Sequence, residues 1–303
     1  MIVLKKIYLF VGFLMGFIVF NMGGIKVEAA ELNVEQIKHL ESLGFTKEEI
    51  SDMPEMEIMK NLEIDGQVVA TNEKFIKVTE NGVNNSSKEI EIDKNTYLNG
   101  IQLEEAKRVQ KSNGVAKLSS DTSTTSYKKV TTNIVSLKAK QKYRVKTSIE
   151  WSVMPSNRKI DVIGTSINSS FWAPSQGSQY GQQKWKLKYD CNKTKSKSAT
   201  YTKDSNKWSK GPSGYALNID LPNDVNKSYA CYNEKVLTLS AFSYYTVDKL
   251  AATTQIDAYG KYLHQETTFQ VSPSISFSPL TFGVSASQSD KFTETTTHAQ
   301  VKF

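Results

Sequence analysis

From Tyr143 onward, apolar and polar residues alternate along the chain. Tyr143, Val145, Ile149, Trp151 and Val153 share one parity, while Arg144, Lys146 and Glu150 take the other. A period of two marks a half-buried strand, because successive side chains point to opposite faces. The pattern returns at Ile160, Val162, Ile167 and Phe171, and at Trp185, Leu187 and Tyr189. It recurs at Tyr215, Leu217, Ile219 and Leu221, at Leu237, Leu239, Ala241, Tyr245 and Val247, and in "TQIDAYGKYLH". Clusters of Pro, Gly, Asn and Asp separate these runs. Together they predict about eight to ten short strands in an antiparallel sandwich or barrel.

Residues 269–287 repeat the alternation with serines between the apolar positions. Phe269, Val271, Ile275 and Phe277 are odd; after Pro279 the apolar set, Leu280, Phe282, Val284 and Ala286, is even. A packed hairpin turning at Pro279-Leu280 explains the change of phase. A strand pair that leaves the body and faces lipid would show the same phase. The packed form is the expectation, because the apolar side is short and Pro273 removes a ladder donor.

Before Tyr127 the pattern is mostly helical. Asn33 with Gln36, and Thr46 with Glu49, have the spacing of capping boxes, and Val34, Ile37 and Leu40 lie on one helical face. Gly44 is a natural stop. Pro54 suits the first turn of a third helix reaching Leu62. "GQVVATNEKFIKVTENG" reads as a short hairpin, "KEIEI" as a strand, and Gln102 to Lys111 as a helix. The Ser/Thr run Leu118–Ser126 has no period and reads as a linker and a plausible processing site. The predicted class is therefore α+β: a small helical N-terminal module over 30–117, a linker over 118–127, and an all-β antiparallel sandwich or barrel over 128–303.

Charge sharpens this division. The segment from Glu31 to Asp65 carries a net of −7, and the remainder from Gly66 carries +12. Lys5 and Lys6 precede an apolar run from Ile7 to Phe20, and Val27 and Ala29 have the spacing of a signal-peptidase site. This predicts a signal peptide over 1–29 and an exported, extracellular chain. The apolar run is shorter than the ~20 residues of a spanning helix. In that compartment Cys191 and Cys231 predict a disulfide, whose loop would stabilise by ~4 kcal/mol; two buried thiols are the alternative.

Catalytic patterns are sparse. The histidines are His39, His264 and His298. His264 and Glu266 share a strand face and could hold a metal or a proton, but a zinc site needs three or four ligands and no further ligand lies nearby. The sequence has no HExxH, CxxC or GxSxG motif, no phosphate loop and no dinucleotide fingerprint. No cofactor is expected. A carboxylate-based polysaccharide hydrolase stays open as an alternative, with Asp161, Asp190, Asp220, Asp224, Asp257 and Glu266 as the candidate acids.

The cationic, aromatic stretch from Tyr180 to Lys210 is the strongest binding candidate. Lys184, Trp185, Lys186, Lys188, Tyr189, Tyr201, Trp208 and Lys210 are its candidate contact residues. Lysines among aromatics suit an anionic envelope polymer or membrane surface; nucleic acid is not the expected partner of an exported chain. Lysines on an exposed hairpin also discourage edge pairing, with no ligand involved.

The order of parts resembles uncharacterised secreted proteins of Gram-positive bacteria. The resemblance rests on "LNVEQIKHLESLGFTKEEI", the Ser/Thr run before "SYKKVTT", "EWSVMPSNRKIDVIG", "SSFWAPSQGSQYG" and "DAYGKYLHQETTFQVSPSISF". It spans nearly all of the mature chain and implies organisation and export, not a site. The functional expectation is a secreted, non-enzymatic protein whose cationic β domain binds an anionic extracellular surface, in the manner of a bacteriocin-like antimicrobial. The acidic module would contact the basic domain by charge complementarity. An adhesion or matrix protein is a further alternative.

Overall fold

The first helices begin at the residues whose side chains can cap them. Asn33 accepts from the Gln36 amide at 2.9 Å, and the Gln36 side chain accepts from the Asn33 amide at 3.0 Å, opening α1 (Val34–Ser42). Thr46 and Glu49 repeat this at α2 (Lys47–Ser51). Between them Gly44 has φ of 83°, a left-handed turn that an L side chain resists. Pro54 precedes α3 (Glu55–Leu62). The computed structural model describes residues 32–81, 86–112, 123–139, 141–189, 191, 193–226, 233–266, 272–285 and 287–303. The expected leader, Asp190, Cys231 and residues 118–122 of the expected linker lie outside them.

The strands are β1 (Gly66–Asn81), β2 (Ser86–Ile92), β3 (Ser123–Leu137), β4 (Lys142–Val153), β5 (Ile160–Ile167), β6 (Trp172–Pro174), β7 (Tyr180–Tyr189) and β8 (Thr194–Tyr201). They continue with β9 (Trp208–Gly211), β10 (Gly214–Asp220), β11 (Glu234–Lys249), β12 (Gln255–Gln265), β13 (Ile275–Phe277), β14 (Phe282–Val284) and β15 (Phe292–Lys302). One antiparallel sheet runs β2-β1-β3-β4-β11-β7-β8, with β6 paired to β11; a second runs β15-β12-β5-β10-β9. The two pack face to face. A fourth helix, α4 (Lys94–Ser112), contains the predicted Gln102–Lys111 and starts at Lys94, behind Asp93, whose carboxylate accepts from the Asn95 and Thr96 amides.

This overturns the expected α+β class with its helical module followed by a sandwich. Of the described residues 17% are helix and 56% strand, a mostly-β fold. The stretch expected as a short hairpin is one strand, β1, paired with β3 from Gly66↔Leu137 to Asn81↔Ser123 with one irregularity at Val68/Ala70. Ser123 to Ser126, read as linker, opens β3. Local alternation cannot tell two short arms from one long strand; the pairing partner decides, and here it lies far along the sequence.

Between the sheets sit the inward residues that the alternation marked, among them Val145, Ile149, Trp151, Leu217, Ile219, Leu239 and Tyr262. The middle of the interior is polar. Thr132 lies 2.6 Å from Thr297 and 3.3 Å from Thr147, oxygen to oxygen, and Thr147 lies 2.7 Å from Thr165. These hydroxyls satisfy one another, as buried polar groups must. They crowd over Gly260, where a side chain would not fit.

The β13–β14 hairpin forms as the odd-to-even phase predicts, pairing Ile275↔Val284 and Phe277↔Phe282. It lies against the outer face of the second sheet. Phe282 packs with Val162, Ala216, Leu263 and Phe292, and Ile275, Phe277 and Val284 join at the margin.

Candidate functional site

The outward face of the first sheet carries its charge on the positions left by the alternation. On β4 these are Arg144, Lys146, Ser148 and Glu150; on β7 they are Lys184 and Lys186. The acidic helices cover part of this face. Lys146 donates to the Gly44 carbonyl at 2.6 Å and to Glu49 at 2.5 Å, with the Phe45 and Phe242 rings about it at 5.1 and 5.0 Å. Burial pulls the Lys146 ammonium below the ordinary lysine value, and Glu49 works against that pull. Arg144 donates to Asn61 at 2.7 Å and stacks 4.2 Å over Tyr244. The Tyr244 hydroxyl donates to Glu57, and Lys184 pairs with Asp52. Removing Glu49 would leave a buried ammonium without its counter-ion.

Beside this contact lies a cavity of about 820 Å³. Glu48, Glu73, Lys129, Lys186, Trp185 and Thr238 are among its lining residues. Along its wall Lys129 pairs with Glu150 at 2.9 Å, Lys146 with Glu49 at 2.5 Å, and Thr131 donates to Glu73 at 3.3 Å. Among the described residues, none of the candidate hydrolase acids lines it.

The candidate contact residues divide by face. Lys184, Trp185 and Lys186 border the cavity. Trp185, Tyr189 and Tyr201 are half-buried against the core, and Trp208 is buried, donating to the Thr202 carbonyl at 2.9 Å. Tyr201 donates to Gln183 at 2.8 Å, and burial, with Asp220 nearby, pushes its hydroxyl up to about 12. The aromatics therefore point inward, and the lysines carry the surface. Lys186, Lys193, Lys195, Lys203, Lys207 and Lys210 are exposed and Lys188 half-buried; among the described residues none of these seven makes an ion pair. Of this stretch, Lys184 and Lys197 do, the latter with Glu234 at 3.1 Å. Cys191, at the β7–β8 turn, is an exposed free thiol.

A second polar cluster lies inside, where sequence reasoning paired His264 with Glu266 on one strand face. His264 is buried and bonds through Nδ1 to Asp161 at 2.9 Å, not to Glu266. Asp161 also accepts from the Tyr262 hydroxyl and, at 3.0 Å, from the Gln265 amide. Trp151 donates to the Tyr262 oxygen at 2.7 Å. Lys128 sits 5.2 Å from both the Trp151 and Tyr262 rings and pairs with Glu89. Burial alone would raise the Glu89 carboxyl, but Lys128, Thr293 and Thr295 outweigh it and hold it below the usual range. By sequence Asp161 falls on the parity opposite Ile160 and Val162, the polar side; the structure turns Val162 outward under the β13–β14 hairpin and Asp161 inward, so neither its burial nor its partner could be read from spacing. Among the described residues no cluster of three or more potential ligands could hold a metal ion. Among them, too, no helix is long and apolar enough to cross a membrane.

No family model matches the chain, and no curated protein matches it. Solved structures give distant likenesses. A structure titled "Pore forming protein" is 6% identical over 58% of this chain and 87% of its own, with a TM-score of 0.26. Clostridium perfringens delta-toxin is 12% identical over 58% of this chain and 85% of its own, at 0.25. A structure titled "BspA_C_WT" is 10% identical over 57% of this chain and 58% of its own, at 0.25. Scores this low carry no inference about activity.

Proposed function

We propose that this is an exported, non-enzymatic protein that binds an anionic membrane surface through the lysines of the β7–β8 hairpin. The observation that carries the reading is the set Lys186, Lys188, Lys193 and Lys195, without an ion pair among the described residues, on the hairpin that ends the first sheet. A lysine held near an anionic bilayer contributes about 1 kcal/mol. The acidic helices neutralise Lys146 and Lys184 on the face that also carries Lys186 and Lys188, leaving the far end of β7 and β8 uncovered; Lys195, directly opposite Leu187, lies on the other face of the strand pair.

Replacing Lys186, Lys193 and Lys195 together by Gln should weaken binding to phosphatidylglycerol-containing vesicles by roughly a hundredfold, measured by co-sedimentation of the full chain. Binding of the unmodified protein should fall as salt rises. A triple variant that binds as the parent does, and instead self-associates, would show that these lysines serve only to blunt the sheet edge.

A further inference from the structure

The outer face of the first sheet is roofed at two places and left open between them. Along β4, Arg144, Lys146, Ser148, Glu150 and Ser152 share the outward parity. Arg144 bonds to Asn61 of α3, and Lys146 to Glu49 of α2. At the other end of the strand, the Ser152 hydroxyl lies 2.8 Å from that of Tyr97 on α4. Helices therefore cover both ends of this row. Ser148 and Glu150, in its middle, line the cavity of about 820 Å³.

The open part is a trench that runs across the strands. Its floor takes Thr131 from β3, Ser148 from β4, Thr238 and Ser240 from β11, Lys186 from β7 and Ser196 from β8. From β3 to β8 there are four strand intervals, about 19 Å. The register lines these groups up. Thr131 stands opposite Ser148, and Ser240 lies between Glu150 and Lys184. Lys186 lies between Thr238 and Ser196. The strand ladder fixes these positions, so the polar groups are in place before any ligand arrives, and little ordering is left for binding to oppose.

The bonding left over in the trench says what it fits. Lys129, Lys146 and Lys184 are held by Glu150, Glu49 and Asp52. Among the described residues, the lining groups without an ion pair are Lys186 on one side and Glu41, Glu48 and Glu73 on the other. An anionic polymer would meet those carboxylates. An apolar ligand would strip water from hydroxyls that it cannot bond, at a cost. Ser148 donates to Glu49, and Thr131 to Glu73. The hydroxyls of Ser196, Thr238 and Ser240 make no hydrogen bond among the described residues, and each offers a donor and two acceptor sites. A ligand that is itself a row of hydroxyls answers all of these groups, because each of its oxygens both donates and accepts. The volume lies in the ~300–1,000 Å³ range of ligand clefts.

We propose that this trench binds a neutral oligosaccharide, laid across β3, β4, β11, β7 and β8 between the two helical covers. Ser196, Thr238 and Ser240 exchange hydrogen bonds with sugar hydroxyls, Glu48 and Glu73 accept from them, and Lys186 donates. Trp185 borders the trench but packs against the core, so hydrogen bonds carry the affinity. The site goes beyond the membrane-binding reading and does not depend on it. Lys186 belongs to both; Lys188, Lys193 and Lys195 do not line the trench.

Titration calorimetry of the full chain tests it. The probes are chitotetraose, cellotetraose, maltotetraose and mannotetraose, with tetragalacturonate as the acidic control. At least one neutral probe should bind, and more tightly than the control. Thr238→Val with Ser240→Ala removes two trench hydroxyls and nothing from the core; it should weaken that binding about tenfold. Ser240→Tyr, which fills the floor, should abolish it. Both variants should keep the parental urea midpoint and sediment with phosphatidylglycerol-containing vesicles as the parent does. No binding of any neutral probe overturns the trench assignment and leaves the membrane reading standing. So does binding that the hydroxyl-deleted pair leaves unchanged, or a preference for tetragalacturonate. A parent chain that binds a neutral probe but does not sediment with vesicles keeps the trench and loses the membrane reading.

Discussion

Asp161→Ala is expected to cost the fold about 3–5 kcal/mol, the range for stripping a buried charged group of its partner, measured by urea unfolding. The carboxylate is fully buried and accepts from the Tyr262 hydroxyl, His264 Nδ1 and the Gln265 amide. Alanine leaves all three without an acceptor in a place water does not reach, and each orphaned group carries its own desolvation cost. Asp161→Asn keeps the shape and two of the acceptor contacts, and should recover part of the loss. The same pair sets a pH dependence. Burial alone would lower the His264 value; contact with Asp161 outweighs it and raises the histidine above 6.5. Stabilisation by the charged pair is therefore complete below about pH 6.5 and is lost as pH rises through the higher folded-state value. Lys128 opposes the histidine's charge, and Glu266 favours it; both belong to the field that sets that value, together with Glu89, which pairs with Lys128. Urea midpoints should fall with rising pH in the parent and flatten in Asp161→Asn. Identical profiles in the two proteins would remove the pair as their cause.

Gly260→Ala should be the most damaging single methyl that can be added between the sheets. Its Cβ would fall 1.7 Å from the Thr132 hydroxyl, 2.6 Å from that of Thr147 and 2.8 Å from that of Thr297. None of these can swing aside independently, because Thr132 is bonded to both of the others and Thr147 continues to Thr165. Overpacking of a tight interior costs about 1–3 kcal/mol. Here broken hydrogen bonds add to it, so the loss should lie at or beyond the top of that range. Adding Thr132→Ala should return part of the stability by vacating the nearest atom, a coupling that a double-mutant cycle of unfolding free energies would read. Purely additive effects would mean that the sheets separate at this point instead of clashing.

The same two sites show what could be read in advance. Asn33, Gln36, Thr46 and Glu49 act on amides three residues away, so the start of each early helix was already legible. Alternation is equally local: it sorted Val145, Ile149 and Trp151 to the interior, and it fixed the parity of both arms of the β13–β14 hairpin before any partner was known. Parity, however, does not say what covers a face. Arg144 and Lys146 lie on the polar side of β4 and read as solvent-exposed, yet α1–α3 fold over them and bury both. Lys128, on β3, is buried between the sheets with Glu89 for a partner.

Long-range pairing decided the rest. Whether residues 66–81 made a hairpin or a strand depended on β3, which lies beyond β2 and α4 in the chain, and that choice turned an expected helical module into the flank of a sheet. His264 shared a face with Glu266 by spacing, but the sheet carried β5 alongside β12 and set Asp161 closer. By itself, then, the sequence determined the local periods, the caps and the uneven distribution of charge, because those act within a few residues. The tertiary structure alone decided which charges were taken out of water and which neighbours they met there, because both depend on surfaces brought together from distant parts of the chain.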